Sequence, residues 1–447
     1  MTMTDSETLK QQIRRNVDRK RDEIINIGET IMDAPELGFK ETQTAERVRQ
    51  LFSQCRLPFE DGLALTGVKA ILRGAKPGPT IALMGELDAL QVPGHPRADP
   101  DTGAAHACGH NAQIAGLLGA ATALCDADIA QHIAGNIVFF AVPAEEFVEI
   151  DYRIGLVREG KTGFLTGKQE LIRLGHFDDV DMAVMIHSTS PEVAEGQVGL
   201  SPSSNGFLAK SIRFLGRAAH SGAMPERGIN ALYAAQLALS GINAQRETFR
   251  DEDFVRVHPI ITKGGDLVNI VPAEVCMETY VRAKTPEAIQ DASQKVDRAL
   301  RGAAVAMGCQ VEIDTVPGDL PLINNADLAA LFRDTASQLI GDDCYCEYTH
   351  APGSTDAGDL SQIMPVLHPY MTGASGAHHQ TDWCIADHQH GYVTPAATLA
   401  LMAAELLMND AAKARNILDG YSPAMKKDEY LRRQTSVFNK ELFDGTK

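Results

Sequence analysis

Apolar and polar positions in the first 190 residues follow the pattern of strands separated by helices. Short runs rich in Val, Ile, Phe and Met, bounded by Gly or Pro, occur at Val68–Arg73, Thr80–Leu87, Asn136–Val142 and Asp181–His187. Between the second and third runs, apolar residues recur at helical spacing over Gln113–Leu124. Leu9–Asp33 and Thr42–Gln54 have the charged, amphipathic pattern of surface helices. This order predicts a mixed sheet covered by helices on both faces.

The pattern changes from about residue 205 to 318. Here the order strand, helix, two strands, helix, strand is predicted at Ala209–Leu215, Asn230–Arg246, Val255–Thr262, Ala273–Ala283, Pro286–Met307 and Cys309–Thr315. That β-α-β-β-α-β order is the ferredoxin-like pattern of a compact α+β domain.

The first pattern then resumes. A helix is predicted at Leu328–Ile340, a strand at Pro365–Met371 and a helix at Thr394–Met408, and the polar segment from Asn409 is expected to pack peripherally. We therefore predict an α/β fold with a mixed-sheet catalytic domain, formed by residues 1–204 and 319–447. A smaller α+β ferredoxin-like domain at 205–318 interrupts it.

Composition and charge narrow the range of partners. Apolar residues make up 44% of the chain, and 59 acidic residues against 41 basic ones give a formal net charge of −18. Such a surface repels phosphate backbones and anionic lipid, so we expect neither nucleic acid nor membrane as a partner. The N-terminus lacks the apolar core of a signal peptide, and we expect no apolar run to be long enough to span a bilayer. With eight scattered cysteines interpreted as reduced thiols, a cytoplasmic location is predicted.

Polar residues follow the predicted strands of the first domain where each strand ends. The residues at strand ends are Asp88, Glu145, Glu146 and His187, and a loop that precedes a helix adds Cys108 and His110. Functional groups of open α/β sheets cluster beyond the carboxyl ends of strands, so we expect them to lie together. Thiolate and imidazole bind divalent ions, and paired carboxylates could divide between holding an ion and taking a proton from water. Taken alone, however, Cys108 could be a small buried residue and His110 a helix cap.

Four motifs together resemble the aminoacylase-like di-metal peptidase family. They are HACGHN, VPAEE, MIHSTS and GRAAHSGAMPERGINAL, and the nearest branch is that of the indole-acetyl-amino-acid, hippurate and aminobenzoyl-glutamate hydrolases. The resemblance implies a metal-dependent amidohydrolase that cleaves the amide bond of N-acyl amino acids or small dipeptide-like substrates, including aminobenzoyl-glutamate-like ones. It also implies two divalent ions per subunit (zinc or manganese, with cobalt as a further option) and a homodimer formed through the inserted lid domain.

The resemblance assigns a role to each residue of these motifs. The metal ligands would be Cys108, which bridges the two ions, and His110, Glu146, His187 and His379. His378 is the alternative to His379, which is preferred because the aromatic Trp383 follows it by four residues. Glu145 would be the general base that returns its proton to the leaving amine, and Asp88 would orient a ligand or its loop.

The inserted domain would supply the substrate contacts. By the same resemblance, His220 helps to stabilise the developing oxyanion, while Asn269 and Arg282 hold the substrate carboxylate. An arginine fork can grip a carboxylate through two parallel hydrogen bonds; the alternative is that Arg282 is an exposed strand residue in a surface ion pair.

Three features depart from the family pattern. One is the segment Pro352–Ser361, in which Thr355 and Asp356 could shape the pocket or Asp356 could cap a helix. Asn111 stands where the motif commonly ends in Asp, which removes a negative charge near the metals. The segment from Phe147 to Leu171 is longer than in short-loop members and is interpreted as a specificity element.

Two other functions are compatible with the same residues. Cys108 could be the nucleophile of a thiol hydrolase with His110 or His106 as its base, which would leave the paired glutamates without a role. Alternatively, the chain could bind acyl-amino acids without turning them over. Sensitivity to chelators separates the first alternative from a metal enzyme, and turnover separates the second.

Overall fold

The computed structural model describes residues 3–125, 127–192, 198–341 and 345–447 of the 447-residue chain. Contacts divide the described residues into two compact units. The first comprises Met1–Pro202, Ile323–His350 and Asp359–Met425, and the second comprises Ser203–Leu322, Ala351–Gly358 and Lys426–Lys447. The seven cysteines among the described residues are free thiols, and Cys344 lies outside the described residues.

The helices and strands are numbered in chain order. The helices are α1 (Met3–Arg19), α2 (Arg21–Met32), α3 (Thr42–Gln54), α4 (His110–Leu124), α5 (Ala127–Ala130), α6 (Ile150–Arg158), α7 (Gly167–Leu174), α8 (Ala231–Ala244), α9 (Pro286–Met307), α10 (Ala326–Ile340), α11 (Ala357–Ser361), α12 (Thr394–Gly420) and α13 (Lys427–Val437). The strands are β1 (Phe59–Leu63), β2 (Gly67–Arg73), β3 (Lys76–Glu86), β4 (Leu90–Gln91), β5 (Ala104–Ala105), β6 (Ala134–Val142), β7 (Met182–Val184), β8 (His187–Thr189), β9 (Val198–Leu200), β10 (Gly206–Leu215), β11 (Arg256–Val257), β12 (Ile260–Lys263), β13 (Glu274–Ala283), β14 (Gln310–Pro317), β15 (Tyr345–Glu347), β16 (Val366–Leu367), β17 (Tyr370–Thr372), β18 (Ala374–Ser375), β19 (Cys384–Ile385) and β20 (Asn439–Asp444).

The first unit is built on a mixed sheet of strand order β1-β2-β6-β3-β7-β16. Strands β6, β3, β7 and β16 run parallel, while β1 and β2 are antiparallel to their neighbours. Helix α4 is apolar around its whole circumference and nearly all of it is buried, as expected of a core helix. It packs closely on α12, since a Cβ at Gly119 would lie 2.8 Å from the Cβ of Ala396. The predicted α/β class is confirmed.

Several predicted elements are divided in the structure. The helix predicted at Leu9–Asp33 is two helices, α1 and α2, because Lys20 between them has a non-helical backbone. The strand predicted at Asp181–His187 is β7 followed by β8, and that at Pro365–Met371 is β16 followed by β17. Both pairs pass together from the central sheet into a small sheet of order β15-β9-β17-β8. Between β16 and β17 lies Pro369, which has no backbone N–H to continue a ladder.

The second unit contains one antiparallel sheet with α8 and α9 packed against it. Its strand order is β11-β13-β10-β14-β20, with β12 also paired to β13. The predicted strand Val255–Thr262 is interrupted at Pro259, which gives the short strands β11 and β12. The expectation that the segment from Asn409 packs peripherally is wrong for Ala411, Ala414 and Tyr430, which are fully buried. It holds for β20, an edge strand that pairs antiparallel with β14 and places Phe443 against this unit's core. Residues 426–447 thus group with the second unit, whereas the sequence analysis assigned them to the first.

Helix α12 departs from regular helical geometry between residues 408 and 411, where the predicted helix Thr394–Met408 ends. Together with the turn before it, Gln389–Gly420 is long and apolar enough to cross a membrane by length and composition. The expectation that no segment meets this criterion is therefore wrong. Of its most apolar stretch, 94% is buried inside the molecule, as in the core helix of a folded domain.

Candidate metal centre

The ends of three parallel strands of the first unit bring the predicted polar residues together. Asp88 follows β3, and Glu145 and Glu146 follow β6, which is the parallel neighbour of β3. His187 begins β8, directly after β7, the parallel neighbour of β3 on its other side. Parallel strands end at the same edge of a sheet, so the carboxyl ends of β3, β6 and β7 form one rim.

Five of the predicted ligands form two groups that share one cysteine. The ligand atoms of Cys108, His110 and His187 lie within 4.8 Å of one another, and so do those of Cys108, Glu146 and His379. Cys108 Sγ is 3.4 Å from His187 Nε2, and His379 Nε2 is 3.4 Å from Glu146 Oε1. Two triads with a common thiol are the arrangement that two neighbouring ions with one bridging ligand require.

A left-handed glycine places two of these ligands on one side of their loop. Gly109 has a φ of +84°, and a Cβ there would also lie 2.9 Å from the side chain of Ser188. Glycine adopts this backbone conformation without strain. The turn lets Cys108 and His110, which flank it, both join the cluster.

Backbone carbonyls fix the orientation of two ligand histidines. Nδ1 of His110 is 2.8 Å from the carbonyl oxygen of Asp88, and Nδ1 of His187 is 2.7 Å from that of Ser188. A carbonyl can only accept a hydrogen bond, so Nδ1 donates in both rings. In a neutral ring this leaves the lone pair on Nε2, the nitrogen that faces the cluster, as is usual for metal-binding histidines.

The two candidates for the last ligand have different surroundings. His379 has a φ of +64°, and its backbone N–H donates to Ala107 O at 2.8 Å, which holds its Nε2 near Glu146. His378 instead stacks on Trp383, with ring centroids 4.3 Å apart, and its Nε2 is 3.0 Å from the carbonyl of Ser188. This geometry favours His379.

Burial and local charge set opposite protonation states for the two buried ligand histidines. Burial lowers the pKa of His110, but the neighbouring carboxylates of Glu86 and Asp88 outweigh it and raise the pKa to about 10. For His187, burial together with the neighbouring His378 holds the pKa well below its ordinary value. Without metal, His110 is therefore a cation at neutral pH and His187 is neutral.

The pKa of the Cys108 thiol and the pKa of the Glu146 carboxyl are shifted in opposite directions. Burial raises the pKa of Cys108 well above its ordinary value, and the charges of Glu146 and Glu145 raise it further. Burial would also raise the pKa of Glu146, but the charge and hydrogen bond of His379 lower it to about 2. Only a strongly positive partner would convert this thiol to a thiolate, and a divalent ion is such a partner.

Asp88 connects two parts of the centre. Besides its carbonyl contact with His110, its Oδ2 accepts a hydrogen bond of 2.9 Å from the backbone N–H of Glu146. It is fully buried, and these contacts are those that an orienting residue needs.

Glu41 was not predicted from the sequence. It is fully buried, accepts from the backbone N–H of Ala144 at 2.8 Å and from Thr66 Oγ1 at 2.6 Å, and has its pKa raised to about 7 by burial and by Asp88. It directly precedes α3, where a glutamate is usually an exposed end residue, so the sequence held no signal for its role.

A second group missing from the predictions surrounds Glu86, the last residue of β3. Glu86 is fully buried, with Oε1 2.5 Å from Lys168 Nζ and Oε2 2.6 Å from Gln113 Nε2. Its Oε2 is also 3.1 Å from His110 Nε2. Burial alone would raise the pKa of Glu86, but the charges of Lys168 and His110 hold it well below its ordinary value. The available signal was a carboxylate at a strand end two residues before Asp88.

The long segment after Glu146 forms α6 and α7 and supports the loop of the paired glutamates. Arg153 is fully buried and donates to the carbonyls of Ala144 at 3.3 Å and Leu165 at 2.8 Å. The backbone N–H of Gly167 also donates to Ala144 O, at 3.1 Å. Ala144 has a φ of +52° and directly precedes Glu145, so this segment stabilises the turn that presents Glu145.

The Asn111 side chain belongs to a structural hydrogen-bond network. Its Nδ2 donates to Gly28 O at 3.2 Å and to Tyr392 Oη at 3.0 Å, and Tyr392 in turn donates to Glu29 at 2.6 Å. An aspartate could not donate these bonds. From the sequence, this departure was expected to act on the metals, whereas the contacts give the amide a role in packing α4.

Two of the predicted substrate residues lie in adjacent segments of the second unit. His220 and Asn269 are exposed, and the antiparallel bridge between His220 and Ile270 brings their two segments side by side in space. The Nδ1 atom of His220 accepts from the backbone N–H groups of Gly222 and Ala223, at 3.2 and 3.1 Å. A neutral ring must then carry its proton on Nε2, where it can be donated.

Arg282 lies elsewhere in the second unit, on β13. Its Nη1 donates to Ser354 Oγ at 2.8 Å, and its guanidinium lies over the rings of Phe207 and Tyr280, 5.1 and 5.2 Å from their centroids. A stacked guanidinium that is paired with a neutral hydroxyl keeps its charge for a further anion. These contacts differ from the surface ion pair that was the alternative interpretation.

A cysteine–histidine–carboxylate cluster at the carboxyl ends of parallel strands is characteristic of metal-dependent hydrolases. Comparison with known proteins identifies the family, since the profile of Peptidase family M20/M25/M40 matches residues 82–401. The chain belongs to this family, and it is a metallo-hydrolase that acts on amide bonds. The predicted resemblance is confirmed.

Relatives and solved structures cover most of the chain. It is 28% identical over 402 residues to the Xaa-Arg dipeptidase of Mus musculus, covering 84% of this chain and 82% of that protein. It is 25% identical over 413 residues to IAA-amino acid hydrolase ILR1-like 2 of Arabidopsis thaliana, covering 88% and 87%. A dinuclear metal binding peptidase of the M20 family from Bacillus subtilis has the same fold, with a TM-score of 0.63, 23% identity, and coverage of 87% of this chain and 99% of that one.

Proposed function

We propose that this enzyme hydrolyses the amide bond of N-acyl amino acids or small dipeptide-like substrates with water activated at a two-metal site. The observation that carries the proposal is that Cys108 belongs to both ligand triads. The relatives named as a dipeptidase and as an amino-acid-conjugate hydrolase support this substrate class.

The residues fit a pair of divalent ions. His110 Nε2 and Glu146 Oε1 are buried and face the cluster, where Glu86 Oε2 lies 3.1 Å from the first atom and His379 Nε2 lies 3.4 Å from the second. Thiolate, imidazole and carboxylate together form a donor set suited to zinc, manganese or cobalt. We propose that Cys108, His110 and His187 hold one ion, and Cys108, Glu146 and His379 the other.

The reaction then depends on the position of Glu145. Bound divalent ions would lower the pKa of water and polarise the substrate carbonyl. Glu145 lies beside the cluster, with its Oε2 3.9 Å from Nε2 of His110. Its side chain is 11% exposed, so the water molecule that attacks the substrate can reach it. In our proposal Glu145 takes the proton of the attacking water and returns it to the leaving amine. Asp88 holds the backbone of Glu146 and the ring of His110 in place.

The second unit would recognise the rest of the substrate. His220, protonated on Nε2, would donate to the oxyanion that forms on the substrate carbonyl. Asn269 and Arg282 would bind the carboxylate of the amino acid, for which the stacked guanidinium of Arg282 is prepared. That this unit acts as a lid over the substrate is proposed from the resemblance to the family.

The alternative of a cysteine nucleophile is disfavoured by the surroundings of Cys108. A nucleophilic cysteine needs a lowered pKa, usually from a cationic neighbour or a helix N-terminus. Here burial and the acidic neighbours Glu146 and Glu145 raise the pKa of Cys108. The other proposed base, His106, is fully buried, and burial lowers its pKa to about 3.

The first experiment removes the metal with a chelator and measures amine release from a panel of N-acyl amino acids and dipeptides, with and without added zinc or manganese. Activity that returns only with metal supports the proposal. Activity that survives stripping would favour the cysteine mechanism. Binding without turnover by the metal-loaded protein would favour the non-catalytic alternative.

A variant tests the general base separately. Glu145→Gln should lower kcat by about 10²- to 10⁴-fold, the usual effect of losing a general base, without changing the metal content. Glu159→Gln is the matched control, since Glu159 is an exposed residue of the same extended segment. Near-normal turnover of Glu145→Gln would contradict the assignment.

We also propose that the enzyme is a cytoplasmic homodimer formed through its second unit. Edge strand β12 exposes Ile260 and Ile261, and the loop before β13 exposes Leu267 and Val268. Exposed apolar residues on a sheet edge favour pairing with another chain. Light scattering should give the mass of a dimer, and Ile260→Lys should shift it towards a monomer. A monomeric native protein would contradict the proposal.

A further inference from the structure

The extended segment after Glu146 brings a buried lysine to the edge of the metal centre. Lys168 is the second residue of α7, which approaches the end of β6 so closely that a Cβ at Gly167 would lie 1.7 Å from the carbonyl oxygen of Pro143. The side chains of Lys168 and Glu86 are fully buried and form an ion pair of 2.5 Å. Removing two charges from water is costly, so a buried ion pair need not stabilise the fold. Its presence beside the metal centre therefore suggests a role other than stability.

Glu86 lies within reach of the proposed metal ligands. Its Oε2 is 3.1 Å from Nε2 of His110, the nitrogen proposed to bind a metal. The ligand atoms of Glu86, His110 and Glu145 lie within 4.8 Å of one another, so they could hold an ion by themselves. Carboxylate oxygens are ligands for the same ions as imidazole and thiolate. A Glu86 side chain without other partners would therefore compete for a place in the coordination shell.

Both carboxylate oxygens of Glu86 have other partners. Lys168 binds Oε1, and Gln113 donates to Oε2 at 2.6 Å. We propose that Lys168 is a positioning residue that holds Glu86 out of the coordination shell, and that loss of its charge converts Glu86 into an additional metal ligand. The proposal rests on the two-metal function proposed above. It gives the extended segment a specific task, which is to set the number of ligands around the ion bound by His110.

Cobalt provides a direct test that does not depend on activity. Lys168→Met replaces the aliphatic part of the side chain with an unbranched apolar chain of similar length and removes the charge. Metal-free protein is then reconstituted with Co²⁺. We expect weaker visible absorption than in the native protein, because an added ligand raises the coordination number of Co²⁺. We also expect the Co²⁺ affinity to rise about 10-fold or more, because the variant removes a positive charge beside the ion and adds a carboxylate ligand. Loss of a partner that merely orients a ligand lowers metal affinity about 10- to 100-fold instead, so the sign of the change separates the two roles.

A double variant identifies the source of any change. Glu86→Gln combined with Lys168→Met should restore the native spectrum and affinity, because a neutral amide is a poor ligand. Lys161→Met, on an exposed lysine of the same segment, is the matched control and should leave both unchanged. A native spectrum and affinity in Lys168→Met overturn the proposal and leave the two-metal function intact. A change that persists in the double variant also overturns it, since Glu86 would not be its cause.

If Lys168→Met does not fold, Glu86→Gln alone decides the question. We expect a native Co²⁺ spectrum, because Glu86 is not a ligand in the native protein, and an altered spectrum overturns the proposal. Native protein that binds no Co²⁺ would refute the two-metal function and this inference together.

Discussion

Lowering the pH should weaken metal binding steeply, because two ligands must each release a proton before they can bind. The pKa of His110 is raised to about 10, and that of Cys108 is raised well above its ordinary value. Both therefore carry a proton at neutral pH in the metal-free protein. The pKa of His187 is held well below its ordinary value, and that of Glu146 is lowered to about 2. These two ligands are already deprotonated and release no proton on binding.

The magnitude follows from the number of protons. Metal binds the deprotonated forms of His110 and Cys108, so each released proton costs a factor of ten in affinity per pH unit below its pKa, about 1.4 kcal/mol. Between pH 9 and pH 7 both groups lie below their raised pKa values. Because two protons are released, lowering the pH from 9 to 7 should weaken metal binding about 10⁴-fold, which corresponds to about 5.5 kcal/mol.

Titration calorimetry measures the proton count directly. Metal-free protein is titrated with zinc in buffers of different ionisation enthalpy, and the slope of apparent binding enthalpy against ionisation enthalpy gives the protons released. We expect at least two at pH 8, those of His110 and Cys108. Cys309→Ser is the control, because Cys309 is a buried free thiol of the second unit and should not alter the count. A count near zero, or an affinity independent of pH between 7 and 9, would refute the reasoning.

Three further predictions concern the substrate pocket and the core. Arg282→Met should raise KM about 10- to 100-fold for N-acyl amino acids with a free carboxylate, as loss of a charged hydrogen bond does. Steady-state kinetics with the methyl ester as control tests this, and an equal effect on ester and acid would contradict it. Asn111→Asp should lower the free energy of unfolding by about 1–3 kcal/mol in urea, because the buried bond to Tyr392 loses its donor; unchanged stability would exclude that role. Phe139→Ala should cost about 3–5 kcal/mol in the same assay, against about 0.5 kcal/mol or less for the exposed Leu174→Ala, and equal costs would contradict the assigned core.

The pattern of the sequence predicted the fold class because it records local burial. Helix Pro286–Met307 was predicted with its observed bounds, since its apolar stripe, its N-terminal proline and the glycine after it are all local signals. The strand ends that carry Asp88, Glu145 and His187 were predicted for the same reason. The sequence could not show where strands change sheets, because β7 and β8 differ in their neighbours rather than in their own composition.

The motifs also predicted candidate side chains for the chemistry, but only the tertiary structure decided their partners. His378 and His379 are adjacent and chemically identical in the sequence, and they differ only because Trp383 and Ser188 engage the first. Asn111 was interpreted as a change of charge near the metals, whereas its partners lie on Gly28 and Tyr392.

The buried charged residues also show what the sequence predicts and what only the tertiary structure decides. Glu41, Glu86 and Lys168 are charged residues of types that usually lie at the surface, and only Glu86, inside the apolar run Thr80–Leu87, has a local signal of burial. Each becomes buried because its partner comes from a distant part of the chain, as Lys168 does for Glu86 across 82 positions. Local patterns of polarity determine which face of an element turns inward. The cost of burying a charge is offset only by a specific partner at hydrogen-bond distance, and that partner is fixed by the fold as a whole.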